Sequence, residues 1–235
     1  MAAAGTELRV FEGVGALSDA AARALVDAGK RALGDRGRFT LALSGGETPK
    51  SLYRRLATKH RDDLPWGDVH LFWSDERFVP RHHPESNSGA ALALLLPLSL
   101  PEENVHAPDT TLARAEDAAA RYENELSRFL PLDAVLLGIG EDGHVASLFP
   151  GAPALEERKR LVVAVHDAPR PPPERITMTI PALDEARAIH FLVSGASKRG
   201  VLGRVLSGAD PSLPASRVRP REGTVTFWAD RAAAS

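Results

Sequence analysis

Short, continuously apolar segments recur along the chain and predict buried β-strands. Parallel strands that helices cover on both faces have this character, because neither face of such a strand meets water. These segments are residues 39–43 (FTLAL), 69–73 (VHLFW), 134–139 (AVLLGI), 189–193 (IHFLV) and 224–228 (TVTFW).

Helical patterns lie between these strands and indicate the fold class. Alternating strands and helices predict an α/β fold, with a mostly parallel sheet and helices on both faces, Rossmann-like in organisation. The 235 residues contain no internal repeat or long linker, so we expect a single domain, residues 1–235. Thr48 is the expected N-cap of the second helix. The predicted helices are 19–33, 49–60, 88–95, 114–129 and 198–206, and the proline-rich residues 168–174 (APRPPPE) predict a loop.

Composition narrows the possible partners. The formal net charge of −2 leaves no excess of lysine and arginine, so we expect no nucleic-acid partner. The absence of cysteine excludes disulfides, thiolate metal sites and a cysteine nucleophile. Neither a secretory signal pattern nor an apolar run of membrane-spanning length is present, so we expect a cytoplasmic protein with no membrane partner. We expect a monomer, and an oligomer stays open.

The residues that follow the predicted strands are rich in chemically useful side chains. Ligands of open α/β sheets bind beyond the carboxyl ends of the strands, which a parallel sheet gathers along one edge. We therefore expect one shared site at that edge. The four loops that would form it are 44–48 (SGGET), 74–77 (SDER), 140–144 (GEDGH) and 194–198 (SGASK).

Three of these loops offer groups that suit an anionic ligand. Gly45 and Gly46 let the backbone approach a ligand, and the helix start behind them adds partial positive charge that suits phosphate. Lys198 lies at another predicted helix start, where a bound anion would explain a cation. Arg77 can hold phosphate or carboxylate through two hydrogen bonds, and Asp75 suits sugar hydroxyls. The alternatives are a plain turn, a solvated lysine and a local ion pair.

His144 is the best catalytic candidate. Imidazole titrates near neutrality, so it can take a proton from water and return it, and Asp142 is close enough in sequence to fix the ring tautomer. A structural histidine is the alternative. Residues 138–143 (GIGEDG) also match the G-x-G-x-x-G dinucleotide pattern, but Pro150 breaks the long helix which that motif requires. We expect no cofactor, and no metal because no second histidine at ligand spacing accompanies His144.

The chain resembles the 6-phosphogluconolactonase family over nearly its whole length. The stretch GIGEDGHVASLFPG is highly specific, whereas SGG or DER alone is not. The matching segments follow the family's order: LALSGGETP, VHLFWSDERFVP with a trailing ESN, DAVLLGIGEDGHVASLFPG, RITMTIPAL, FLVSGASK and the ending LPASRV…GTVTFWAD.

The resemblance implies a fold and a set of site residues. The fold is the type shared by glucosamine-6-phosphate deaminases, ribose-5-phosphate isomerases and coenzyme A transferases. His144 would be the general base, and Asp142 would assist or orient it. Glu47 and Val145 depart from the family pattern, which commonly has a small hydroxyl residue and a threonine there. The substrate, chiefly its phosphate, would be held by Ser44, Gly45, Gly46, Thr48 and Lys198, with Asp75, Arg77 and Arg175 lining the same pocket.

The implied reaction is hydrolysis of 6-phospho-D-glucono-1,5-lactone to 6-phospho-D-gluconate in the oxidative pentose phosphate pathway. Two alternatives stay open. A glucosamine-6-phosphate deaminase or isomerase carries a glutamate shortly after the histidine, where this chain has Phe149. A non-catalytic sugar-phosphate sensor on the same fold would have no need of His144. The partner in each case is a small phosphorylated sugar derivative.

Overall fold

A computed structural model describes residues 5–208 and 210–235. Within those ranges, no helix is long and apolar enough to cross a membrane. The strands are β1 (Thr6–Phe11), β2 (Phe39–Leu43), β3 (Val69–Trp73), β4 (Asp75–Arg77), β5 (Ala134–Leu137), β6 (Val162–Val165), β7 (Arg175–Met178), β8 (Ala188–Val193) and β9 (Thr224–Asp230). The helices are α1 (Val14–Arg36), α2 (Glu47–Lys59), α3 (Asn87–Leu95), α4 (Ala115–Leu126), α5 (Ile180–Asp184), α6 (Arg199–Ser207), α7 (Pro214–Arg217) and α8 (Arg231–Ala234).

The central sheet is parallel, as the strand pattern predicts. Its six strands lie in the order β1-β9-β8-β5-β2-β3, and each neighbouring pair runs parallel. All five predicted strands belong to it. The sixth, β1, is an edge strand on which Leu8 and Val10 are exposed, so its sequence TELRVF lacks the continuous apolar run of a covered strand.

A smaller antiparallel sheet, in the order β4-β7-β6, holds the loop after β3. In its register Asp75 lies opposite Thr177, and Arg77 lies opposite Arg175. The sequence pattern does not predict this sheet, because its strands are only three or four residues long, and β4 and β7 also carry charged residues. Because β7 pairs with β4, Arg175 lies beside the SDER segment.

Side chains alternate between the two faces of the central sheet, and each face has its own hydrophobic core. On β2, Phe39 and Leu41 belong to the core that contains α1, α2 and α3, whereas Ala42 belongs to the core that contains α4, α6 and α8. On β5, Leu136 and Leu137 divide in the same way. The predicted covering of both faces by helices is confirmed, and it explains why these strands are apolar throughout.

The start of α2 corrects one prediction. The helix begins at Glu47, with Gly46 as its N-cap at φ +106°, a backbone conformation that glycine adopts readily. Thr48 therefore lies inside the first turn, and the predicted Thr48 cap is wrong. No side chain caps this helix, so its first backbone N–H groups stay available to a ligand. By contrast α3 has a side-chain cap, since Ser86 Oγ accepts a hydrogen bond from Gly89 N at 3.0 Å.

Candidate active site

A cavity of about 270 Å³ opens at the carboxyl ends of β2, β3, β5 and β8. The four loops that were expected to converge do so, since residues from each of them line this cavity. Asn87 and Arg170, which lie outside these loops, contribute as well. Every predicted site residue except Asp142 is part of the lining, namely Ser44, Gly45, Gly46, Thr48, Asp75, Arg77, His144, Arg175 and Lys198.

Asp142 and His144 form a hydrogen-bonded pair at the cavity. Asp142 Oδ1 lies 2.5 Å from His144 Nδ1 and 3.2 Å from the backbone N of the same residue. Burial acts to raise the pKa of Asp142, but hydrogen bonds and charge from His144 outweigh it, and the pKa is lowered overall. An ionised carboxylate only accepts hydrogen bonds, so a neutral imidazole carries its proton on Nδ1 and its lone pair on Nε2.

The GEDGH loop is folded tightly around this pair. Gly140 N donates to His144 O at 2.9 Å, and Gly143 N donates to Gly140 O at 2.9 Å. A Cβ atom at Gly140 would overlap both His144 Nδ1 and Asp142 Oδ1, so a larger residue at this position would displace the pair. Phe149 packs on the imidazole with ring centroids 4.8 Å apart. The ring is therefore held in one orientation by a hydrogen bond on one side and by an aromatic contact on another.

The SGG turn is anchored by Tyr53 of α2. Ser44 N donates to Tyr53 Oη at 3.0 Å, and that hydroxyl donates to Ser44 O at 2.7 Å. Burial raises the pKa of Tyr53, so the phenol stays protonated and keeps both contacts. Gly45 approaches Asn87 so closely that a Cβ atom would overlap Asn87 Oδ1. With the uncapped start of α2 behind it, the turn has the form of an anion cradle.

The two departures from the family pattern leave the cavity intact. Val145 is fully buried in the core that contains α4 and is not part of the cavity lining. Glu47 lies at the rim, but its side chain is 81% exposed and its Oε1 accepts a hydrogen bond from Lys50 Nζ at 2.7 Å. Lys50 lowers the pKa of Glu47 and offsets its charge beside the cradle.

Arg77 is held by Glu85 and keeps one donor free. Its Nη1 donates to Glu85 O at 3.1 Å and to Glu85 Oε2 at 3.0 Å. Arg77 thus forms a local ion pair, which was one of the alternatives for this residue, and its partner is Glu85. Arg77 Nε is buried and has no hydrogen-bond partner in the described part of the chain. A buried donor without a partner is costly, so a ligand oxygen at Nε would be bound favourably.

Asp75 is buried and oriented by two residues that the sequence did not single out as site residues. Ser147 Oγ donates to Asp75 Oδ2 at 2.7 Å, and Asn87 Nδ2 donates to Asp75 O at 3.0 Å and Oδ1 at 3.3 Å. Glu76, which is fully buried, accepts from Asn87 N at 2.7 Å. Burial raises the pKa of Glu76, although hydrogen bonds from Ser88 and its neighbours oppose this. These contacts fix the SDER segment against the start of α3.

The guanidinium of Arg175 donates its hydrogen bonds to other residues of the protein. Nε donates to Pro172 O at 3.1 Å, Nη2 donates to Arg170 O at 2.8 Å, and Nη1 lies 3.4 Å from Ser147 Oγ. Burial lowers the pKa of Arg175, and the charge of Asp75 opposes that effect. Arg175 thus fixes the proline-rich loop, and it places Arg170 at the cavity. The Arg170 guanidinium itself makes no ion pair with the residues that the structure describes.

The loop that carries Lys198 is held by the end of β9, the strand next to β8. It ends the 3-10 turn Ala196–Lys198 directly before α6, and its ammonium makes no ion pair with residues 5–208 or 210–235. Asp230, at the end of β9, accepts from Ser194 Oγ at 2.6 Å and from Gly195 N at 3.1 Å. These hydrogen bonds join the start of the Lys198 loop to the sheet.

Four functional candidates were missed from the sequence: Asn87, Ser147, Arg170 and Asp230. Asn87 and Ser147 were visible as polar residues within the ESN and GHVAS segments. Arg170 was visible as a cation among prolines. Asp230 offered no such signal, because its role depends on the adjacency of β8 and β9, which a residue pattern does not contain.

Fold and site together define an α/β protein with a carboxylate–histidine pair over a cation-lined cleft. In the described ranges, no group of three or more histidine, cysteine, aspartate or glutamate side chains is arranged to hold a metal ion. The sequence profile of the family described as glucosamine-6-phosphate isomerases/6-phosphogluconolactonase matches residues 14–228. The chain belongs to this family.

Several relatives are similar over most of the chain. A Synechocystis protein named 6-phosphogluconolactonase is 44% identical over 205 residues, covering 83% of this chain and 82% of the relative. A Rattus norvegicus protein of the same name is 40% identical over 206 residues, covering 84% and 80%. The crystal structure of 6-phosphogluconolactonase from Thermotoga maritima matches with a TM-score of 0.85 at 32% identity, covering 96% of this chain and 100% of that chain.

The fold also occurs in a solved structure of a different activity. A monomeric glucosamine-6-phosphate deaminase matches with a TM-score of 0.83 at 24% identity, covering 97% of this chain and 98% of that chain. At this level of identity the likeness concerns the fold alone. It confirms the predicted deaminase-type fold.

Proposed function

We propose that the chain is a 6-phosphogluconolactonase, which hydrolyses 6-phospho-D-glucono-1,5-lactone to 6-phospho-D-gluconate in the oxidative pentose phosphate pathway. The observation that carries this proposal is the Asp142–His144 pair beside a cation-lined cavity, at 2.5 Å between Oδ1 and Nδ1. The names of the relatives at 40–44% identity support the same reaction.

In the proposed mechanism His144 acts as the general base. Asp142 keeps the proton on Nδ1, so the Nε2 lone pair takes a proton from a water molecule as its oxygen attacks the lactone carbonyl carbon. The tetrahedral intermediate then collapses and breaks the bond between that carbon and the ring oxygen. The imidazolium returns its proton to the departing oxygen, which becomes the hydroxyl group of the open-chain acid. Because a lactone is an activated ester, this sequence needs no covalent intermediate.

The phosphate of the substrate positions the ring for attack. Lys198 and Arg170 make no ion pairs in the described residues, and the Nε donor of Arg77 has no partner. Together with the backbone of Gly45 and Gly46 they offer charge-assisted hydrogen bonds to phosphate oxygens. A phosphate held away from the carbonyl carbon would restrict the lactone to orientations near His144.

Phe149 favours lactone hydrolysis over deamination. Deaminases of this fold carry a glutamate shortly after the histidine, which supplies an acid for opening an amino-sugar ring. Here Phe149 occupies that position, is 5% exposed and packs on the His144 ring. The apolar contact supports a site with one base and without that second acid.

The test is a direct assay on the purified chain. Initial rates of 6-phospho-D-glucono-1,5-lactone hydrolysis are measured above the spontaneous rate, and ammonia release from glucosamine 6-phosphate is measured in parallel. We expect lactone hydrolysis and no deamination. Ammonia release would establish the deaminase alternative, and binding of 6-phosphogluconate without any turnover of the lactone would establish the sensor.

A further inference from the structure

A second cavity, of about 620 Å³, lies among arginines that the proposed reaction does not use. We name it the arginine pocket. It shares none of its lining residues with the cavity at His144. Its lining consists of Arg158, Ile180, Pro181, Asp184, Pro211, Ser216, Arg217, Arg219 and Arg221.

Two of the guanidinium groups are oriented by the backbone. Arg219 Nε donates to Ser216 O at 3.2 Å, and Arg217 Nε donates to Pro211 O at 3.0 Å. A guanidinium is planar, so fixing Nε fixes the direction of its terminal donors. Arg217 Nη1 is bound to Glu156 Oε1 at 2.5 Å, whereas Arg219 makes no ion pair with any described residue. The Arg219 fork is therefore prepared for an anion.

The segment that carries these arginines is held in place by Asp184. Asp184 Oδ1 accepts from Arg219 N at 2.6 Å, and its backbone O accepts from Arg221 N at 3.0 Å. Burial raises the pKa of Asp184 to about 6, against the hydrogen bond from Arg219 and the charges of Arg221 and Arg219. Near pH 7.5 the Asp184 carboxylate is mostly ionised and accepts the hydrogen bond from the Arg219 backbone.

The charge of the pocket is positive overall, and one polar group lacks a partner. Arg158 pairs with Glu156 at 3.0 Å and Arg221 pairs with Glu185 at 3.0 Å, so three carboxylates, including that of Asp184, face four guanidinium groups. Ser216 is 9% exposed, and its buried Oγ has no hydrogen-bond partner among the described residues. A positive excess and an unpartnered hydroxyl both suit an oxyanion.

We infer that the arginine pocket binds a small phosphorylated metabolite, with its phosphoryl group on the Arg217 and Arg219 forks. Ile180, Pro181 and Pro211 form an apolar wall for the rest of such a molecule, and the volume exceeds what a lone phosphate needs. This inference does not depend on the lactonase reaction.

Binding of inorganic pyrophosphate tests the inference by isothermal titration calorimetry at pH 7.5. All proteins carry Lys198→Met, which weakens anion binding in the cavity at His144. In this background we expect Arg217→Gln with Arg219→Gln to raise the Kd for pyrophosphate by about tenfold or more, because two charge-assisted forks are lost. Activity is not the readout, because Ala215 of α7 donates to Gly143 O of the catalytic loop at 3.0 Å.

A matched control separates recognition from net charge. The pair Arg121→Gln with Arg231→Gln removes the same charge from exposed arginines outside the pocket, which pair with Asp109 and Glu12. We expect its Kd to stay within about twofold of the background, because exposed pairs contribute little. Equal weakening by both pairs, or no binding in the background protein, would overturn the inference.

A lysine pair tests the geometry and guards against misfolding. Arg217→Lys with Arg219→Lys keeps both charges but removes the planar forks, so we expect it to weaken pyrophosphate binding nearly as much as the glutamine pair. Full binding by the lysine pair would contradict the fork assignment. Circular dichroism and thermal unfolding verify that each variant folds, and a variant that unfolds is replaced by the corresponding single substitution at Arg219.

Discussion

The contact between Asp142 and His144 decides which imidazole nitrogen can act as a base. With Nδ1 committed to the carboxylate at 2.5 Å, only Nε2 is left for water. Phe149 on the ring and the close backbone of Gly140 limit other orientations. In the proposed mechanism the site separates two tasks, since the Asp142–His144 pair moves protons and the surrounding cations bind a phosphate whose charge does not change during the reaction.

We expect His144→Gln to lower kcat for lactone hydrolysis by about 10²–10⁴-fold, the usual worth of a general base, with little change in KM. Glutamine fills similar space but cannot take a proton at neutral pH. Initial-rate kinetics corrected for spontaneous hydrolysis provide the measurement. His82→Gln, at an exposed position outside the cavity, is the control and should behave as the unsubstituted protein. A near-normal kcat for His144→Gln would remove the general-base assignment.

Lys198→Met should act on binding instead. The phosphate keeps its charge through the reaction, so its contact with Lys198 is similar in ground and transition states. We expect KM to rise by about tenfold or more while kcat stays within a few-fold, as measured by saturation kinetics. Lys159→Met, at an exposed lysine outside the cavity, is the matched control. A selective fall in kcat would mean that Lys198 contacts the reacting carbonyl group.

Among the secondary-structure elements, β9 supports the site without lining it. Asp230 at its end holds Ser194 and Gly195 and also caps α8 through Ala233 N at 2.9 Å. Burial acts to raise the pKa of Asp230, but the hydrogen bonds from Ser194, Gly195 and Ala233 lower it overall. The carboxylate is therefore ionised where it anchors the Lys198 loop.

We expect Asp230→Ala to raise KM by roughly tenfold, because Lys198 is no longer held in register, and to lower stability by about 1 kcal/mol through loss of the α8 cap. Asp230→Asn keeps one acceptor oxygen, so we expect its KM to lie between those of the unsubstituted protein and Asp230→Ala. Kinetics well below the unfolding temperature separate these effects, with Asp167→Ala as an exposed control. Lower stability with an unchanged KM would leave Asp230 only a capping role.

The strands that the sequence predicts well are those that helices cover on both faces of the central sheet. The runs at β2, β3, β5, β8 and β9 are apolar because helices cover both faces of the sheet, and that covering is what the pattern records. The short sheet of β4, β7 and β6 leaves no such record, since its strands are stabilised by pairing between distant segments.

The same distinction applies to the site. His144, Lys198 and the glycines follow strand ends in the sequence, so the parallel sheet brings them to one edge. Ser147 and Asp230 act through partners 72 and 36 residues away. The role of Asp230 follows from the adjacency of β8 and β9, and that of Ser147 from the fold that brings its loop to Asp75. The prediction of Thr48 as the N-cap is wrong for a local reason. Gly46, with its positive φ, is the N-cap, so α2 begins earlier than the proline at position 49 suggests.

At the scale of the whole molecule, a buried histidine in the central sheet links stability to pH. His190 on β8 is 8% exposed, its Nδ1 accepts from Trp228 Nε1 at 3.1 Å, and its Nε2 has no partner among the described residues. Burial, with a smaller contribution from the charge of Arg9, lowers the pKa of His190 to about 4. The ring is therefore neutral in the folded protein near pH 7.

We expect His190 to make the protein sensitive to mild acid. Its pKa is lower in the folded state than in the unfolded chain, where it is about 6.5, so protonation favours unfolding. Its contribution is complete above pH 6.5 and is lost as the pH falls toward 4, by up to roughly 3 kcal/mol. Asp184, whose pKa is raised to about 6, acts in the opposite direction, because its protonation stabilises the folded state as the pH falls below 6.

Comparison with His190→Gln isolates the histidine, because the effect of Asp184 is common to both proteins. Glutamine does not titrate and still offers an oxygen to Trp228 Nε1. Urea unfolding at pH 7 and pH 4.5 should show a decrease in the free energy of unfolding that is smaller in His190→Gln by about 2 kcal/mol. His166→Gln, at a histidine whose side chain is 48% exposed, should keep the unsubstituted pH dependence. If the curves for His190→Gln and the unsubstituted protein ran parallel, the acid sensitivity would have to come from carboxylates such as Asp142 and Asp230, whose lowered pKa values also make stability fall in acid.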